Sequence, residues 1–131
     1  MKRAVTDPIA DLLTRLRNAC LVAAASTVVP HSRMKEQLVK LLADYGYVGG
    51  FKVDRTGRFA VIEVELAGAK RPITNLKSIS TPGRRVYRRA GDIRIVRGGL
   101  GLAIVSTSQG LMAGHTAKAR QLGGELICEV Y

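Results

Sequence analysis

Phe59-Ala60-Val61-Ile62-Glu63-Val64-Glu65-Leu66 sets Val61, Ile62, Val64 and Leu66 against Glu63 and Glu65, an alternation that marks a strand with one dry and one wet face. The run Tyr47 to Val53 precedes it across Asp54-Arg55-Thr56-Gly57-Arg58, so the two read as a hairpin. Upstream, Met34, Leu38, Leu41 and Leu42 share one helical face, which opens at His31-Ser32 with Ser32 as cap and stops at Gly46. Before that helix, Ser26-Thr27-Val28-Val29 is a β-branched run closed by Pro30, which lacks a ladder donor and marks a strand end or edge. The first element begins at Asp7-Pro8, a cap followed by a proline suited to the first helical position, and carries Ile9, Leu12, Leu13 and Leu16 as an apolar stripe. The opening half is therefore α-β-α-β-β, a helix-on-sheet unit.

Ala67-Gly68-Ala69-Lys70-Arg71-Pro72 changes the texture to small, basic and kinked, and divides the chain into lobes 1–70 and 71–131. Beyond it the expected strands are Ile73 to Ile79, Arg84 to Arg88, Ile93 to Val96, Leu102 to Thr107 and Glu125 to Val130. Thr81-Pro82-Gly83 forms a turn, and one helix covers His115 to Leu122. The fold class is α+β, two small lobes of which the second is a mostly antiparallel β unit with one short helix.

The 131 residues are 47% apolar and 24% charged, the composition of a chain with a real core. The 21 Lys and Arg against 10 Asp and Glu leave a formal charge of +11, which favours a polyanionic partner and places nucleic acid first. The longest apolar run, Ala19 to Ala25, is far short of a membrane span. Met1-Lys2-Arg3 is followed by Asp7 and Asp11 where a signal peptide needs apolar residues, so the chain reads as cytosolic. Residues 1–70 carry a cationic surplus of 4 and residues 71–131 one of 7, with Arg84, Arg85, Arg88, Arg89, Arg94 and Arg97 grouped near Asp92. Guanidinium groups suit bidentate phosphate contact and stacking.

Catalytic and metal chemistry find little support. Cys20 and Cys128 have no Cys or His at ligand spacing and read as small buried residues, so neither a metal nor another cofactor is expected. His31 and His115 lack an orienting Asp or Glu at motif distance and read as surface or capping residues. Gly98-Gly99-Leu100-Gly101 lacks the third glycine of a dinucleotide loop and precedes a strand, so it reads as a turn. Ser106-Thr107-Ser108-Gln109-Gly110 is no nucleophile elbow. It ends an apolar strand with three hydroxyls that donate and accept, which suits bases and sugars. Gly123-Gly124-Glu125 offers close backbone approach and a carboxylate acceptor. Tyr87 lies within Arg84-Arg85-Val86-Tyr87-Arg88-Arg89, and Pro30-His31-Ser32-Arg33-Met34-Lys35 puts a helix amino terminus beside two cations, a phosphate site. Neither an enzyme nor a small-molecule binder is indicated, and the runner-up is a DNA-binding or chromatin-type module using the second helix in a groove.

Gly99-Leu100-Gly101-Leu102-Ala103-Ile104-Val105-Ser106-Thr107-Ser108-Gln109-Gly110-Leu111-Met112, then Ala117-Lys118-Ala119-Arg120 and Gly123-Gly124-Glu125-Leu126-Ile127-Cys128, resembles the signature of the bacterial-type ribosomal protein number eight of the small subunit. Asp7 to Ala19 resembles the opening of that family and Ser78 to Tyr87 its middle. The resemblance implies a structural constituent of the small subunit in the cytoplasmic ribosome, with neighbouring small-subunit proteins and no catalysis. It implies a primary RNA binder that recognises an irregular hairpin in the central domain of the ribosomal RNA and promotes assembly there, and that in some members also binds its own messenger. Carried over by position, Ser106, Thr107 and Ser108 would meet a bulged or unpaired base, Gly124 and Glu125 would complete that pocket, and Tyr87 with Arg88 would touch the backbone nearby. Ser32, Arg33 and Lys35 would meet phosphates from the first lobe. The sequence departs from the pattern at Gln109, where a basic residue is usual, and at Ala113-Gly114, which replaces a hydroxyl and acidic pair.

Overall fold

A computed structural model of the protein describes residues 8–94, 96 and 101–131. The Asp7 cap, Ile95, Arg97 and the Gly98–Leu100 part of the glycine turn lie outside them. The elements of the first half are α1 (Pro8–Leu21), β1 (Ser26–Pro30), α2 (Arg33–Asp44), β2 (Gly50–Asp54) and β3 (Val61–Glu65). They follow the α-β-α-β-β order that the periodicities require. The strands form an antiparallel sheet in the order β1-β3-β2, with Val29 opposite Ile62 and Val53 opposite the same residue on the other side.

The second half contains β4 (Leu76–Ser78), β5 (Tyr87–Arg88), a 3-10 turn at Ala90–Asp92, β6 (Leu102–Thr107), β7 (Gly110–Ala113), α3 (Gly114–Ala119) and β8 (Gly124–Val130). The second sheet runs β4-β8-β6-β7, with β5 also paired to β8. Three sequence expectations change. Ile93 and Arg94 are not in a strand: Ile93 follows the 3-10 turn and is buried at 3% exposure, so its β-branched side chain fills a core and pairs with nothing. The strands expected over Ile73 to Ile79 and Arg84 to Arg88 shrink to Leu76–Ser78 and Tyr87–Arg88, because each pairs with only one end of β8. Strand β7 was not expected, since Gly110-Leu111-Met112-Ala113 holds no β-branched residue; its pairing to β6, with Val105 opposite Met112, creates it.

The main core lies between the helices and both sheets. Leu12, Leu13 and Leu16 of α1 and Leu38 and Leu42 of α2 join Val29, Ile62 and Val64 of the first sheet and Leu102, Ile104, Cys128 and Val130 of the second in one buried cluster. A second cluster, Val96, Ala103, Val105, Met112, Ala117 and Leu126 with Ile93, occupies the opposite face of the second sheet, under α3. A bulge in β8 allows one strand to serve both cores. Ile104 pairs with Cys128 and Val105 with Leu126, so Ile127 is the extra residue, and the alternation changes phase there. Leu126 therefore faces the second core, while Ile127, Cys128 and Val130 face the first.

Helix α1 also covers an acceptor on one edge strand of each sheet. Arg15 donates to the Val28 carbonyl of β1 at 3.4 Å and Arg17 to the Leu76 carbonyl of β4 at 2.6 Å, each on an edge strand. These guanidinium groups satisfy acceptors that would otherwise invite another strand. Helices α1, α2 and α3 end in the same paired backbone motif. Its bonds are Ala24 N–H to the Ala19 carbonyl and Ala23 to Cys20, Tyr47 to Leu42 and Gly46 to Ala43, and Leu122 to Ala117 and Gln121 to Lys118. The left-handed position is filled by Gly46 (φ 83°) only after α2; Ala23 (φ 54°) and Gln121 (φ 56°) occupy it elsewhere, where a Cβ is strained. Ala23→Gly and Gln121→Gly are each expected to raise the unfolding free energy by about 0.5–1 kcal/mol, and Gly46→Ala to lower it by about 1, in denaturant titrations.

Cys128 is fully enclosed in the main core, and burial, aided by the Glu129 charge, pushes its thiol up to about 12. An unfolded thiol loses its proton at lower pH, so this group's contribution to stability is intact below pH about 8.5 and is lost progressively as pH rises toward 12. Unfolding free energies measured from pH 8 to 10.5 should fall with a steeper slope for the wild type than for Cys128→Ala, and a thiol reagent should label half-buried Cys20 before Cys128.

Candidate nucleic-acid interface

Three strands of the second sheet bring the expected site residues into adjoining rows. Tyr87 of β5 pairs with Glu125 of β8, which pairs with Ser106 of β6, and the pairing ends at Leu111 of β7. In the next row Arg88 pairs with Gly124, and Thr107 with Gly110. Residues separated by up to 38 positions thus form one surface at the end of the sheet, with Tyr87 65% exposed and Ser108 exposed at the tip of the β6–β7 turn. The spacing depends on Gly124: a Cβ there would stand 2.1 Å from the Ser106 carbonyl oxygen, and one on Gly123 would stand 2.7 Å from that of Arg88.

The three hydroxyls do different things. Thr107 Oγ1 donates to the Gly110 carbonyl at 2.9 Å and accepts from the Gln109 N–H at 3.1 Å, so it builds the turn. Ser106 and Ser108 have no protein hydrogen-bond partner for their hydroxyls among the described residues, and Ser106 stands on rigid strand beside Glu125. Glu125 is already engaged: Oε2 accepts from the Ser80 hydroxyl and from Arg85 Nη1, the latter at 3.2 Å. Ser80 in turn accepts from the Val86 N–H at 3.2 Å. This arrangement orients the carboxylate and holds the segment that carries Tyr87 against β8. Ser80, only 6% exposed, was not singled out by sequence reasoning, and Arg85, grouped there with the arginines suited to phosphate, instead holds Glu125. The one signal for this pairing was a lone acid opening a strand in a strongly basic half. Arg84, Arg88 and Arg89 are exposed around the rows, whereas Arg94 is bonded to Glu129 Oε1 and Oε2 at 3.3 Å.

The other expected phosphate site is built on the start of α2. Ser32 caps the helix, its Oγ accepting from the Lys35 N–H at 3.2 Å, and Arg33 beside it is exposed. Lys35 is not on the surface. It is 6% exposed and its ammonium donates to the Pro30 carbonyl at 2.9 Å, tying the end of β1 to α2. His31 has an orienting acid after all, Glu36 Oε1 at 2.7 Å from Nε2, and His115 Nε2 lies 3.1 Å from the Tyr45 hydroxyl. The spacing between residues 31 and 36 matches no motif because it spans a helix cap: the residue before the cap meets the first full turn. Both contacts join structural elements. The Ser32–Arg33 surface lies at the start of α2 and the Tyr87–Glu125–Ser106 row at the end of the second sheet, and no hydrogen bond or ion pair among the described residues joins them.

Hydroxyls, an oriented carboxylate, an exposed tyrosine and exposed guanidinium groups gathered at a sheet end are the equipment of a nucleic-acid-binding protein. A model of the family described as ribosomal protein S8 matches residues 7–131. The chain is 46% identical to the small ribosomal subunit protein uS8 of Rubrobacter xylanophilus over 98% of its length and 99% of that relative. It is 44% identical to the protein of the same name from Roseiflexus castenholzii, with the same coverage, and 47% identical to that of Desulfovibrio desulfuricans over 97% and 99%. The chain belongs to the ribosomal protein S8 family, which is structural and non-enzymatic.

The two cations at the start of α2 separate in stability measurements. Lys35→Met should lower the unfolding free energy by about 1.5–3 kcal/mol, the value of a charged hydrogen bond inside the protein. Arg33→Ala should leave it within about 0.5 kcal/mol.

Proposed function

We propose that the protein is a constituent of the small subunit in the cytoplasmic ribosome that binds an irregular hairpin in the central domain of the ribosomal RNA and promotes assembly of that region. The observation that carries this reading is the cross-strand row Tyr87–Glu125–Ser106, with the Ser106 and Ser108 hydroxyls open beside it. A-form RNA presents no readable major groove, so a specific protein reads an unstacked or bulged base. Ser106 and Ser108 donate to and accept from that base, and Gly124 lets β8 lie close enough to β6 to complete the pocket. Glu125, with its charge offset by Arg85, accepts from an exocyclic amino group. Tyr87 lies against a sugar or base, and Arg84, Arg88 and Arg89 hold phosphates. Thr107 acts by fixing the turn. From the first lobe, Ser32 and Arg33 meet a second stretch of backbone over the amide end of α2, and the buried Lys35 adds positive potential from beneath. A messenger carrying the same irregular hairpin would present the same base to the same row.

The test is a titration against a central-domain hairpin and its repaired, fully paired counterpart, at two salt concentrations and with bulk RNA as competitor. Ser106→Ala and Ser108→Ala are expected to weaken binding to the irregular hairpin by about 1–3 kcal/mol and to leave the paired one unchanged. Arg33→Ala should weaken both alike and reduce the salt slope by about one. Equal losses on both RNAs from the serine changes would overturn the pocket, and binding that collapses with salt on both would reduce the protein's role to charge alone.

A further inference from the structure

The face of the first sheet turned away from the helices is open, and its charge is the reverse of the protein's. The strand registers set nine side-chain positions on it in three rows: Ser26–Glu65–Gly50, Val28–Glu63–Lys52 and Pro30–Val61–Asp54. The intervening residues Val29, Ile62 and Val64 are completely buried on the helix side, so the opposite face carries no core. Three carboxylates and one ammonium give this face a net −2, whereas the rest of the chain carries +13. Glu65, Lys52 and Asp54 are exposed, and Glu63 is half-buried, 3.8 Å from Lys52. Val28 is 46% exposed, and with Pro30 and Val61 it forms an apolar strip alongside the carboxylates. Arg55 and Arg58 lie in the hairpin loop beyond the Asp54 row, so Glu63 and Glu65 hold the half of the face farther from those cations.

We propose that this open sheet face is a docking surface for a basic segment of a neighbouring ribosomal protein, one that lays an apolar side chain on Val28 and Val61 and its lysines or arginines on Glu63 and Glu65. The inference rests on the proposed place of the protein in the small subunit. Charge complementarity selects the occupant. A phosphate backbone brought to this face meets carboxylates at contact distance, where repulsion is least screened, and has nothing apolar to offer Val28. Lysine- and arginine-rich segments gain on both counts. Pairing along the β1 edge, next to Val28, is hindered for such a partner, because the Val28 carbonyl is held by Arg15, Pro30 has no N–H, and its carbonyl is held by Lys35. A segment that uses Val28 therefore meets the face. RNA and this partner thus take separate surfaces: the hairpin on the second sheet and the start of α2, the protein segment on the outer side of β1, β3 and β2.

The experiment labels carboxylates with a carbodiimide and glycine ethyl ester in three states: the free protein, its complex with the hairpin, and small subunits reconstituted from RNA and total small-subunit proteins. Glu63 and Glu65 are expected to react equally in the first two states and at least tenfold less in the third. Carbodiimide without the amine should then join one of them to a lysine of another protein. The double variant E63K/E65K should bind the hairpin at least as tightly as wild type and fall at least fivefold behind it in competition for subunits, while E63Q/E65Q should bind the hairpin and give an intermediate deficit. Carboxylates that stay reactive in subunits containing the protein overturn the inference, as does protection by the hairpin alone or equal competition by E63K/E65K. Failure of the wild type to bind the hairpin or enter subunits overturns the proposed function, and the inference falls with it.

Discussion

The end of the second sheet depends on a contact distance that only hydrogen at residue 124 permits. With a Cβ 2.1 Å from the Ser106 carbonyl oxygen, β8 could not lie against β6, and Glu125 would lose its place between Tyr87 and Ser106. The carboxylate would then no longer reach Ser80 and Arg85, and the segment bearing Tyr87 would lose its tie to the sheet. Three residues further on, the same strand absorbs an extra residue at Ile127 and changes which face it presents. A single strand thus organises the polar row at one end and both cores along its length. For this reason the expected site residues on β5, β6 and β8 stand or fall together.

A formal charge of +11 suggests that every cation faces a polyanion, but the structure divides them among three tasks. Arg15, Arg17 and Lys35 donate to main-chain carbonyls at strand edges and ends, where they complete the fold. Arg85 and Arg94 pair with Glu125 and Glu129, so they position acids. Arg33, Arg84, Arg88 and Arg89 are exposed and supply field to the surface. The acids are also segregated, with Glu63, Glu65 and Asp54 together on the outer side of the first sheet. Such a separation gives the molecule a polarity that net charge does not express, and it fits a protein that must meet an anionic and a cationic surface at once.

Much of the first half was legible because its signals are local. Ser32 caps α2, Gly46 closes it, and the spacing of Ile9, Leu12, Leu13 and Leu16 and the alternation of Ile62, Val64 and Leu66 name the buried faces, while Val61, expected on the dry face, stands on the outer one with Glu63 and Glu65. The second half was less legible where its strands β4, β5 and β7 are short and owe their existence to partners. Nothing in Gly110 to Ala113 announces a strand, and nothing in Ile93 announces that it will fill a core after a 3-10 turn. For the candidate site the residue types were readable, since Ser106, Ser108 and Glu125 stand out in an apolar or basic context. Their division of labour was not: Thr107 belongs to its turn, Lys35 to Pro30 and Glu125 to Ser80.

The sequence by itself determined the elements of the first half, the α+β class and the family, because periodicity, caps, turn residues and ordered motifs are properties of neighbours along the chain. Only the tertiary structure decided which polar groups remain open to a partner. A hydroxyl, an ammonium and a carboxylate look alike in sequence whether they face solvent or another part of the protein. Their availability is fixed by strand register and by bonds such as that from Arg17 to Leu76, which joins residues 59 positions apart. The acidic face was likewise hidden, since Asp54, Glu63 and Glu65 become one surface only when β2 and β3 pair in the observed register.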